Sequence, residues 1–193
     1  MQSVQVEGSL IALAHRRVAD VLAPGDVAVD ATMGNGHDTL FLARCVDTSG
    51  RVYGFDIQPK ALEATEQRLD AGGIHADCYK LYLKSHSRMA NHVPNGIKAV
   101  MFNLGYLPGG DKSRITRVET TLSALEAGLG LLAPGGVLSV MCYPGHDGGG
   151  QESEAVTTFL DGVDGKGFES RLYQRVGAGA SAPFLIVVND RSQ

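Results

Sequence analysis

The chain has 193 residues, of which 44% are hydrophobic and 20% are charged, a composition typical of a globular domain that buries its core without disulfides or metal. Its formal net charge of −4 argues against a protein that holds nucleic acid through its overall field, so any RNA partner must be held by a local patch. The three cysteines, Cys45, Cys78 and Cys142, lack C-x-x-C spacing, which indicates neither a disulfide framework nor a zinc site and favours a reduced, cytoplasmic location.

The N-terminal segment is predicted to form a helix over residues 9–22. Its apolar side chains recur at helical spacing, Ser9 is the expected N-cap, and the Pro-Gly-Asp sequence at 24–26 ends the helix before the first strand. The apolar run at 10–14 is too short to span a membrane, and its basic neighbours at 16–17 follow it, whereas a signal peptide has them in front. We therefore expect neither a targeting segment nor a membrane partner.

The stretch 27–43 has the pattern of a buried strand, a tight turn and a helix. An apolar run ends at Asp30, the chain breaks at the Gly-Asn-Gly sequence 34–36, and helical spacing resumes at 40–43. Glycines allow the backbone to approach a ligand closely, and the first N–H groups of a helix favour polar or anionic groups. The pattern therefore predicts a nucleotide cradle, but the dinucleotide fingerprint is incomplete because Thr39 occupies the place of its third glycine.

A carboxylate follows the second predicted strand. The alternating segment Arg51–Asp56 ends about 20 residues after the turn, where this architecture places an acid that accepts hydrogen bonds from ribose hydroxyls. The alternative is that Asp56 only caps the helix that opens at Pro59.

The remainder of the chain alternates strand and helix patterns up to a terminal pair of strands. Such alternation predicts an α/β fold of Rossmann-like type, with a mostly parallel seven-stranded sheet, one antiparallel strand and helices on both faces. No long linker interrupts it, so we expect a single domain over residues 1–193. The further predicted strands are 77–83, 97–104, 137–142, 169–174 and 184–188, and the further helices are 59–69, 115–129 and 152–160.

Four segments together resemble one known family. They read D-A-T-M-G-N-G-H-D-T-L-F-L-A at 30–43, G-F-D-I-Q at 54–58, N-L-G-Y-L-P-G-G-D-K at 103–112 and P-F-L at 183–185. This combination resembles the bacterial rRNA methylase family of class I S-adenosylmethionine-dependent methyltransferases, and the resemblance covers nearly the whole chain. It implies a Rossmann-like methyltransferase whose cofactor is S-adenosylmethionine.

The resemblance also implies an RNA substrate. Family members are associated with tRNA, in which they convert wobble 5-aminomethyl-2-thiouridine to 5-methylaminomethyl-2-thiouridine, so the expected partner is the anticodon region of tRNA. Both a monomer and a homodimer stay open. The alternatives are the same chemistry on rRNA or a small amine, a dinucleotide-dependent oxidoreductase, and a nucleotide-binding module without catalysis.

The resemblance assigns the cofactor site residue by residue. Asp56 and Ile57 are expected to hold the ribose and the adenine. The family pattern leads us to expect Asp-Ser-His after the third strand, whereas residues 84–86 read Lys-Ser-His. Either backbone groups and Ser85 replace the missing acid at the adenine amino group, or cofactor affinity is lower. The other expected cofactor residues are Asp30, Met33, Gly34, Asn35, Gly36, His37, Asp38 and Thr39 at the amino-acid end, together with Ser85, His86 and Asn103.

The loop that begins at Asn103 is expected to meet the acceptor, because ligands in such sheets bind at the carboxyl ends of the strands. Asn103 Oδ1 and the Leu104 carbonyl are suited to accept hydrogen bonds from an amine, and Tyr106 is suited to stack on a pyrimidine. An alkylamine is mostly protonated at neutral pH and must lose a proton before it attacks. Candidate proton acceptors are His86, Asp111, Tyr143 and His146, with water as an alternative.

Tyr143 and His146 follow another predicted strand end and are expected to face the substrate. For His146, an equally good interpretation is a loop histidine that is bonded to the backbone.

A basic cluster follows the acceptor loop. Lys112, Arg114 and Arg117 lie near the predicted start of the helix 115–129, where they would face RNA phosphates, with Asp111 as the cap of that helix. The first turn of a helix usually favours acids, so basic residues there favour a functional role. The alternative is that these charges are only solvated.

Overall fold

An eight-stranded sheet runs through the part of the chain that the computed structural model describes, which comprises residues 1–105, 109 and 115–192. Its strands are β1 (Gln2–Val6), β2 (Val27–Asp30), β3 (Arg51–Asp56), β4 (Tyr79–Leu83), β5 (Ile97–Asn103), β6 (Leu132–Cys142), β7 (Phe168–Arg175) and β8 (Phe184–Asp190). Their order across the sheet is β1-β7-β8-β6-β5-β2-β3-β4. The order reverses beside β2, so the strand that leads into the glycine turn lies next to β5, which ends at Asn103.

Strand direction agrees with the prediction. β8 is antiparallel to both of its neighbours, β6 and β7, and the other neighbouring pairs are parallel. The predicted number of seven strands is wrong, because β1 adds an eighth strand that pairs in parallel with β7. Its five residues lie at the sheet edge with mostly exposed side chains, so they lack the buried apolar run that marks the inner strands.

Helices cover both faces of the sheet, as predicted. The described α-helices are α1 (Leu10–Ala19), α2 (His37–Val46), α3 (Pro59–Ala71), α4 (Val118–Leu131) and α5 (Gly149–Val163), and short 3-10 helices lie at Ala76–Cys78 and His86–Asn91. Leu42 of α2 and Ala28 of β2 belong to one apolar core, whereas Leu125 of α4 and Val29 of β2 belong to another. Because adjacent strand residues point to opposite faces, these cores lie on opposite sides of the sheet. None of the helices in the described ranges is long and apolar enough to cross a membrane.

The first helix begins where the sequence predicts. The side chain of Ser9 accepts a hydrogen bond from the N–H of Ala12 at 3.2 Å, which is the expected N-cap. α1 ends at Ala19, however, rather than at residue 22.

The start of α4 corrects the prediction for the basic cluster. Arg117 occupies the N-cap position, and Val118 is the first helical residue. Ile115 therefore precedes the helix, and the expected cap at Asp111 is wrong. The first turn contains Glu119, so this helix follows the usual preference for acids near its start.

Candidate active site

An open cleft of about 660 Å³ lies where β2, β3, β4 and β5 reach one edge of the sheet. These strands are parallel neighbours, so their carboxyl ends and the loops that follow come together there. The predicted cofactor residues in its wall are Gly34, Asp56, Ile57, Ser85, His86 and Asn103. Those outside the wall are Asp30, Met33, Asn35, Gly36, His37, Asp38 and Thr39. Among the latter, Met33 is buried and His37 is exposed as the first residue of α2.

The glycine turn between β2 and α2 is packed against α3. Gly34 and Gly36 have φ angles of 53° and 75°, in the left-handed region that favours glycine. A Cβ on Gly36 would lie 2.8 Å from the Cα of Thr65, and the Arg68 guanidinium donates from Nε to the Asn35 carbonyl at 2.6 Å. The turn therefore keeps this shape only because the residue at position 36 is a glycine and has no side chain.

Asp56 joins two loops at the cleft wall. Its Oδ2 accepts a hydrogen bond from the Gly34 N–H at 3.0 Å, and its Oδ1 accepts one from the Gln58 N–H at 2.9 Å. The N-cap residue of α3 is Gln58, so Asp56 is not the cap of this helix, although it accepts the N–H of that residue. The ribose role of Asp56 stays a prediction. Each carboxylate oxygen keeps a second lone pair, and the neighbouring Ile57 is 43% exposed. A polar acceptor and an apolar surface thus lie side by side in the wall.

Asp30 is fully buried below the turn. Its Oδ2 accepts a hydrogen bond from the Thr39 hydroxyl at 2.6 Å, and its Oδ1 accepts one from the Thr32 N–H at 3.1 Å. Burial and then the charge of Asp38 raise the pKa of Asp30 to about 7, although both hydrogen bonds oppose that change. Asp30 therefore stabilises the turn through its hydrogen bonds to Thr32 and Thr39.

His86 lies in the cleft wall as a neutral ring. Its Nδ1 donates to the Ala31 carbonyl at 3.2 Å, since a carbonyl can only accept. Burial lowers the pKa of His86 to about 4, and its Nε2 has no hydrogen-bond partner among the described residues. A ring with this pKa is a weak proton acceptor at neutral pH, so the catalytic role of His86 stays a prediction.

Lys84, which replaces the expected acid, lies in the wall of the same cleft. Lys84 Nζ is 3.1 Å from His92 Nε2 and 5.9 Å from the centre of the Tyr82 ring. Ser85 accepts a hydrogen bond from the Ser87 N–H at 3.3 Å, which caps the following 3-10 helix. The ammonium group is thus held by a stacked Tyr82–His92 pair, whose ring centres are 4.6 Å apart.

Asn103 ends β5 with its side-chain amide held from behind. Its backbone N–H donates to the Thr32 hydroxyl at 2.7 Å, and its Nδ2 donates to Asp38 Oδ2. Its Oδ1 therefore faces the other way, where the Tyr143 hydroxyl approaches to 3.5 Å. The next residue, Leu104, is buried, and its N–H donates to the Met141 carbonyl at 3.0 Å.

The two sides of the acceptor loop are bonded to each other, and one of them is bonded to a buried glutamate that sequence reasoning missed. Gly105 and Thr116 are joined by two hydrogen bonds, from the Gly105 N–H to the Thr116 hydroxyl at 2.8 Å and from the Thr116 N–H to the Gly105 carbonyl at 2.9 Å. Glu152 of α5 accepts from the hydroxyls of Thr116 and Thr121 at 2.6 and 2.7 Å. No local pattern marks this clamp, because Glu152 lies more than 30 residues from both threonines in the sequence.

A second cleft of about 1200 Å³ opens on the far side of Tyr143. Two of its wall residues are large exposed hydrophobics, Ile11 (50% exposed) and Val176 (63% exposed), and Arg175 is charged. Its described lining is Gly8, Ser9, Leu10, Ile11, Met141, Tyr143, Arg175, Val176, Gly177, Ala178, Ala182 and Pro183. Since the Tyr143 hydroxyl lies 3.5 Å from Asn103 Oδ1, the walls of the two clefts meet at this pair.

The remaining predicted substrate residues have different outcomes. His146 bonds through Nδ1 to the Asp147 carbonyl at 2.9 Å, as the backbone-bonded interpretation expects, yet its ring also lies against Gly105. Arg117 is exposed at the start of α4. The predictions for Tyr106, Asp111, Lys112 and Arg114 fall outside the described residues.

The family of the chain follows from its comparison with known proteins. A family model described as "Putative rRNA methylase" matches residues 52–189, which is more than half of the chain. The chain belongs to this rRNA methylase family. The family indicated by the sequence motifs is thereby confirmed.

Relatives of this rRNA methylase family member include one named enzyme. The chloroplastic tRNA (mnm(5)s(2)U34)-methyltransferase of Arabidopsis thaliana is 44% identical over 160 residues, which are 78% of this chain and 58% of that protein. This chain thus spans little more than half the length of that relative.

Two crystal structures share the fold over almost their entire length. A "putative rRNA-methylase" from Clostridium thermocellum is 40% identical with a TM-score of 0.91, covering 97% of this chain and 100% of that one. A "putative methyltransferase" from Streptococcus mutans, crystallised in complex with SAH, is 36% identical with a TM-score of 0.86, covering 96% of this chain and 99% of that one. The Rossmann-like methyltransferase fold is therefore confirmed.

Proposed function

We propose that this chain is a cytoplasmic S-adenosylmethionine-dependent N-methyltransferase, acting as one domain over residues 1–193, that converts wobble 5-aminomethyl-2-thiouridine of tRNA to 5-methylaminomethyl-2-thiouridine. The observation that carries the proposal is the Asn103 amide, which lies in the wall of the first cleft and meets Tyr143, a wall residue of the second cleft. The Arabidopsis relative supports the choice of substrate, since its name states this specificity.

The first cleft fits S-adenosylmethionine. Asp56 has lone pairs left for ribose hydroxyls, and the exposed side of Ile57 suits the adenine ring. Gly34 of the glycine turn lies in the cleft wall, where its backbone would face the amino-acid end of the cofactor, and the packing of Gly36 on α3 holds that turn in place. Ser85 lies in the same cleft wall and would take the place of the missing acid at the adenine amino group, while Lys84 contacts His92 and Tyr82.

Asn103 is suited to orient the attacking amine. When bound, S-adenosylmethionine would supply a methyl group whose bond to sulfur breaks, which leaves S-adenosylhomocysteine, as the amine lone pair attacks the methyl carbon and forms the N–C bond. Because Nδ2 of Asn103 is occupied by Asp38, Oδ1 is the atom presented to the acceptor side, where it accepts an N–H of the amine and directs the lone pair. The proton that the alkylamine must lose passes to water, since the pKa of His86 is too low for an efficient base.

The second cleft suits a nucleobase with its phosphate. Ile11, Val176 and Tyr143 provide apolar and aromatic surface for a ring, and Arg175 provides positive charge for a phosphate. Arg117 adds a further exposed cation. These features favour a nucleotide of RNA over a free small amine, which needs no phosphate contact.

The proposal is tested first at the cofactor. S-adenosylhomocysteine is expected to raise the thermal unfolding temperature of the purified protein, and NADH is expected to leave it unchanged. Labelled methyl groups are then expected in tRNA that carries the aminomethyl nucleoside. Stabilisation by NADH instead would indicate the oxidoreductase alternative, and transfer into rRNA or a free amine would keep the methyltransferase and replace its substrate.

A further inference from the structure

A histidine–aspartate pair lies behind the Asn103 amide, and its histidine, His15, has no role in the function proposed so far. His15 of α1 approaches Asp38 of α2 with Nε2 at 2.6 Å from Oδ1. Only 9% of the Asp38 side chain and 28% of the His15 side chain are exposed. Hydrogen bonds to a charged group in such surroundings are short and strong, so this contact fixes the position of the carboxylate.

The His15 ring is itself held in place. It stacks on Phe41 with 4.0 Å between the ring centres and 2° between the planes. Phe41 lies three residues after Asp38 on α2, so the two side chains share one face of that helix. Phe41 therefore fixes the plane of the imidazole, and Asp38 Oδ1 accepts the hydrogen bond from Nε2.

The other oxygen of Asp38 determines which way the Asn103 amide points. A carboxylate can only accept, so the group that faces Asp38 Oδ2 must be the NH₂ of Asn103. Oδ1 is consequently directed to the side of Tyr143 and the second cleft. If Asp38 changed rotamer, the amide would be free to turn over and present donors, which cannot accept an N–H from the attacking amine.

We propose that His15 is a positioning residue for methyl transfer, which acts through Asp38 to hold Asn103 Oδ1 toward the acceptor. This inference rests on the proposed function and adds to it a residue on the cover helix, outside both clefts. His15 is not among the described residues that line either cleft. Its contribution is therefore expected in the rate of transfer and not in the binding of the cofactor.

Two substitutions separate the hydrogen bond from the packing of the ring. His15→Phe keeps an aromatic ring against Phe41 and removes the donor, so it is expected to lower kcat by about 10- to 100-fold while the KM for S-adenosylmethionine changes little. His15→Gln retains a side-chain N–H and is expected to recover most of the lost rate. The matched control is His75→Ala, which removes a histidine from an exposed His75–Asp77 pair and is expected to leave kcat unchanged.

A spectroscopic measurement keeps this test separate from the proposed function. The side-chain NH₂ resonances of Asn103, assigned by comparison with Asn103→Asp, are expected to shift in His15→Phe and to stay near their wild-type positions in His15→Gln. If the wild type methylates no RNA, the proposed function fails, yet these resonances still report on the hydrogen-bonded chain. Should His15→Phe not fold, His15→Ala provides the same comparison. Unchanged Asn103 resonances, a wild-type kcat without the donor, or a His15→Gln variant as slow as His15→Phe would each overturn the inference.

Discussion

Asp30 is the last residue of the buried strand β2, and its ionisation makes the stability of the protein depend on pH. Its pKa in the folded protein is raised from 3.8 to about 7, chiefly by burial. The folded protein therefore holds a proton that the unfolded chain releases between about pH 4 and pH 7. The free energy of unfolding therefore falls as pH rises through this window, and it levels off above the window.

Replacing this carboxyl group by an amide is expected to remove that slope. Asp30→Asn loses one accepted hydrogen bond, but it no longer ionises in the core, so its unfolding temperature relative to wild type is expected to increase from about pH 5 to about pH 8. Each kcal/mol corresponds to roughly 2–4 °C for a chain of this size. The control is Asp70→Asn at an exposed position, for which we expect no such trend. A parallel pH profile for Asp30→Asn and wild type would contradict the buried titration.

At the scale of single residues, strand ends were predictable and long-range partners were not. Asp30, Asp56 and Asn103 each close an apolar run, so their shared position at one sheet edge follows from the parallel topology. His15 and Glu152 have no such signal, since their partners lie 23 to 36 residues away on other elements. Only the packing of helices onto the sheet brings those groups together.

At the scale of elements, the contact between the glycine turn and α3 yields a matched comparison. Gly36 and Gly73 have nearly the same φ, 75° and 72°, but a Cβ on Gly36 collides with Thr65 Cα at 2.8 Å, whereas one on Gly73 meets no atom within 4 Å among the described residues. Both alanine variants incur the cost of left-handed backbone, about 1–2 kcal/mol. Gly36→Ala is expected to lose about 1–3 kcal/mol more by overpacking and to weaken binding of S-adenosylhomocysteine.

Urea unfolding and calorimetric titration check both parts of this prediction. Equal losses of unfolding free energy in Gly36→Ala and Gly73→Ala would show that the close approach to α3 has no energetic weight. Wild-type affinity for S-adenosylhomocysteine in Gly36→Ala would remove the turn from the cofactor site.

Most elements were predictable from periodicity, and the exceptions have two kinds of cause. The edge strand β1 is short and exposed, so it shows no buried run. Ile115 matches the apolar spacing of α4 but lies before its N-cap, because Thr116 bonds to Gly105 and Glu152 instead of continuing the helix. The strand predicted at 137–142 begins earlier, at Leu132, so the Ala-Pro-Gly-Gly sequence at 133–136 lies within β6, where the pairing shifts between Ile97↔Leu132 and Ala99↔Val137. In the last two cases a tertiary contact overrides the local pattern.

At the scale of the whole molecule, the net charge of −4 requires that RNA be held by local cations. Arg175→Ala in the second cleft is expected to raise the KM for tRNA several-fold and to leave binding of S-adenosylhomocysteine intact, since it removes one phosphate contact. The control is Arg44→Ala, an exposed arginine in the last turn of α2, which is expected to have no effect. An identical KM for tRNA in Arg175→Ala and Arg44→Ala would exclude the second cleft as the RNA site.

The fold class and the family were accessible from the sequence, because a parallel sheet requires alternating elements and the family motifs are long. The division of the strand-end edge into two clefts was not accessible. It depends on Tyr143 meeting Asn103 across 40 residues of sequence, which no motif encodes.

Nucleoside mass spectrometry of tRNA tests the central claim most directly. Purified protein is incubated with S-adenosylmethionine and tRNA that carries 5-aminomethyl-2-thiouridine, beside an Asn103→Ala variant. A gain of one methyl group on that nucleoside with the wild type, and a rate at least about tenfold lower with Asn103→Ala, is the predicted result. No gain with the wild type, while S-adenosylhomocysteine still binds, would contradict the proposed substrate.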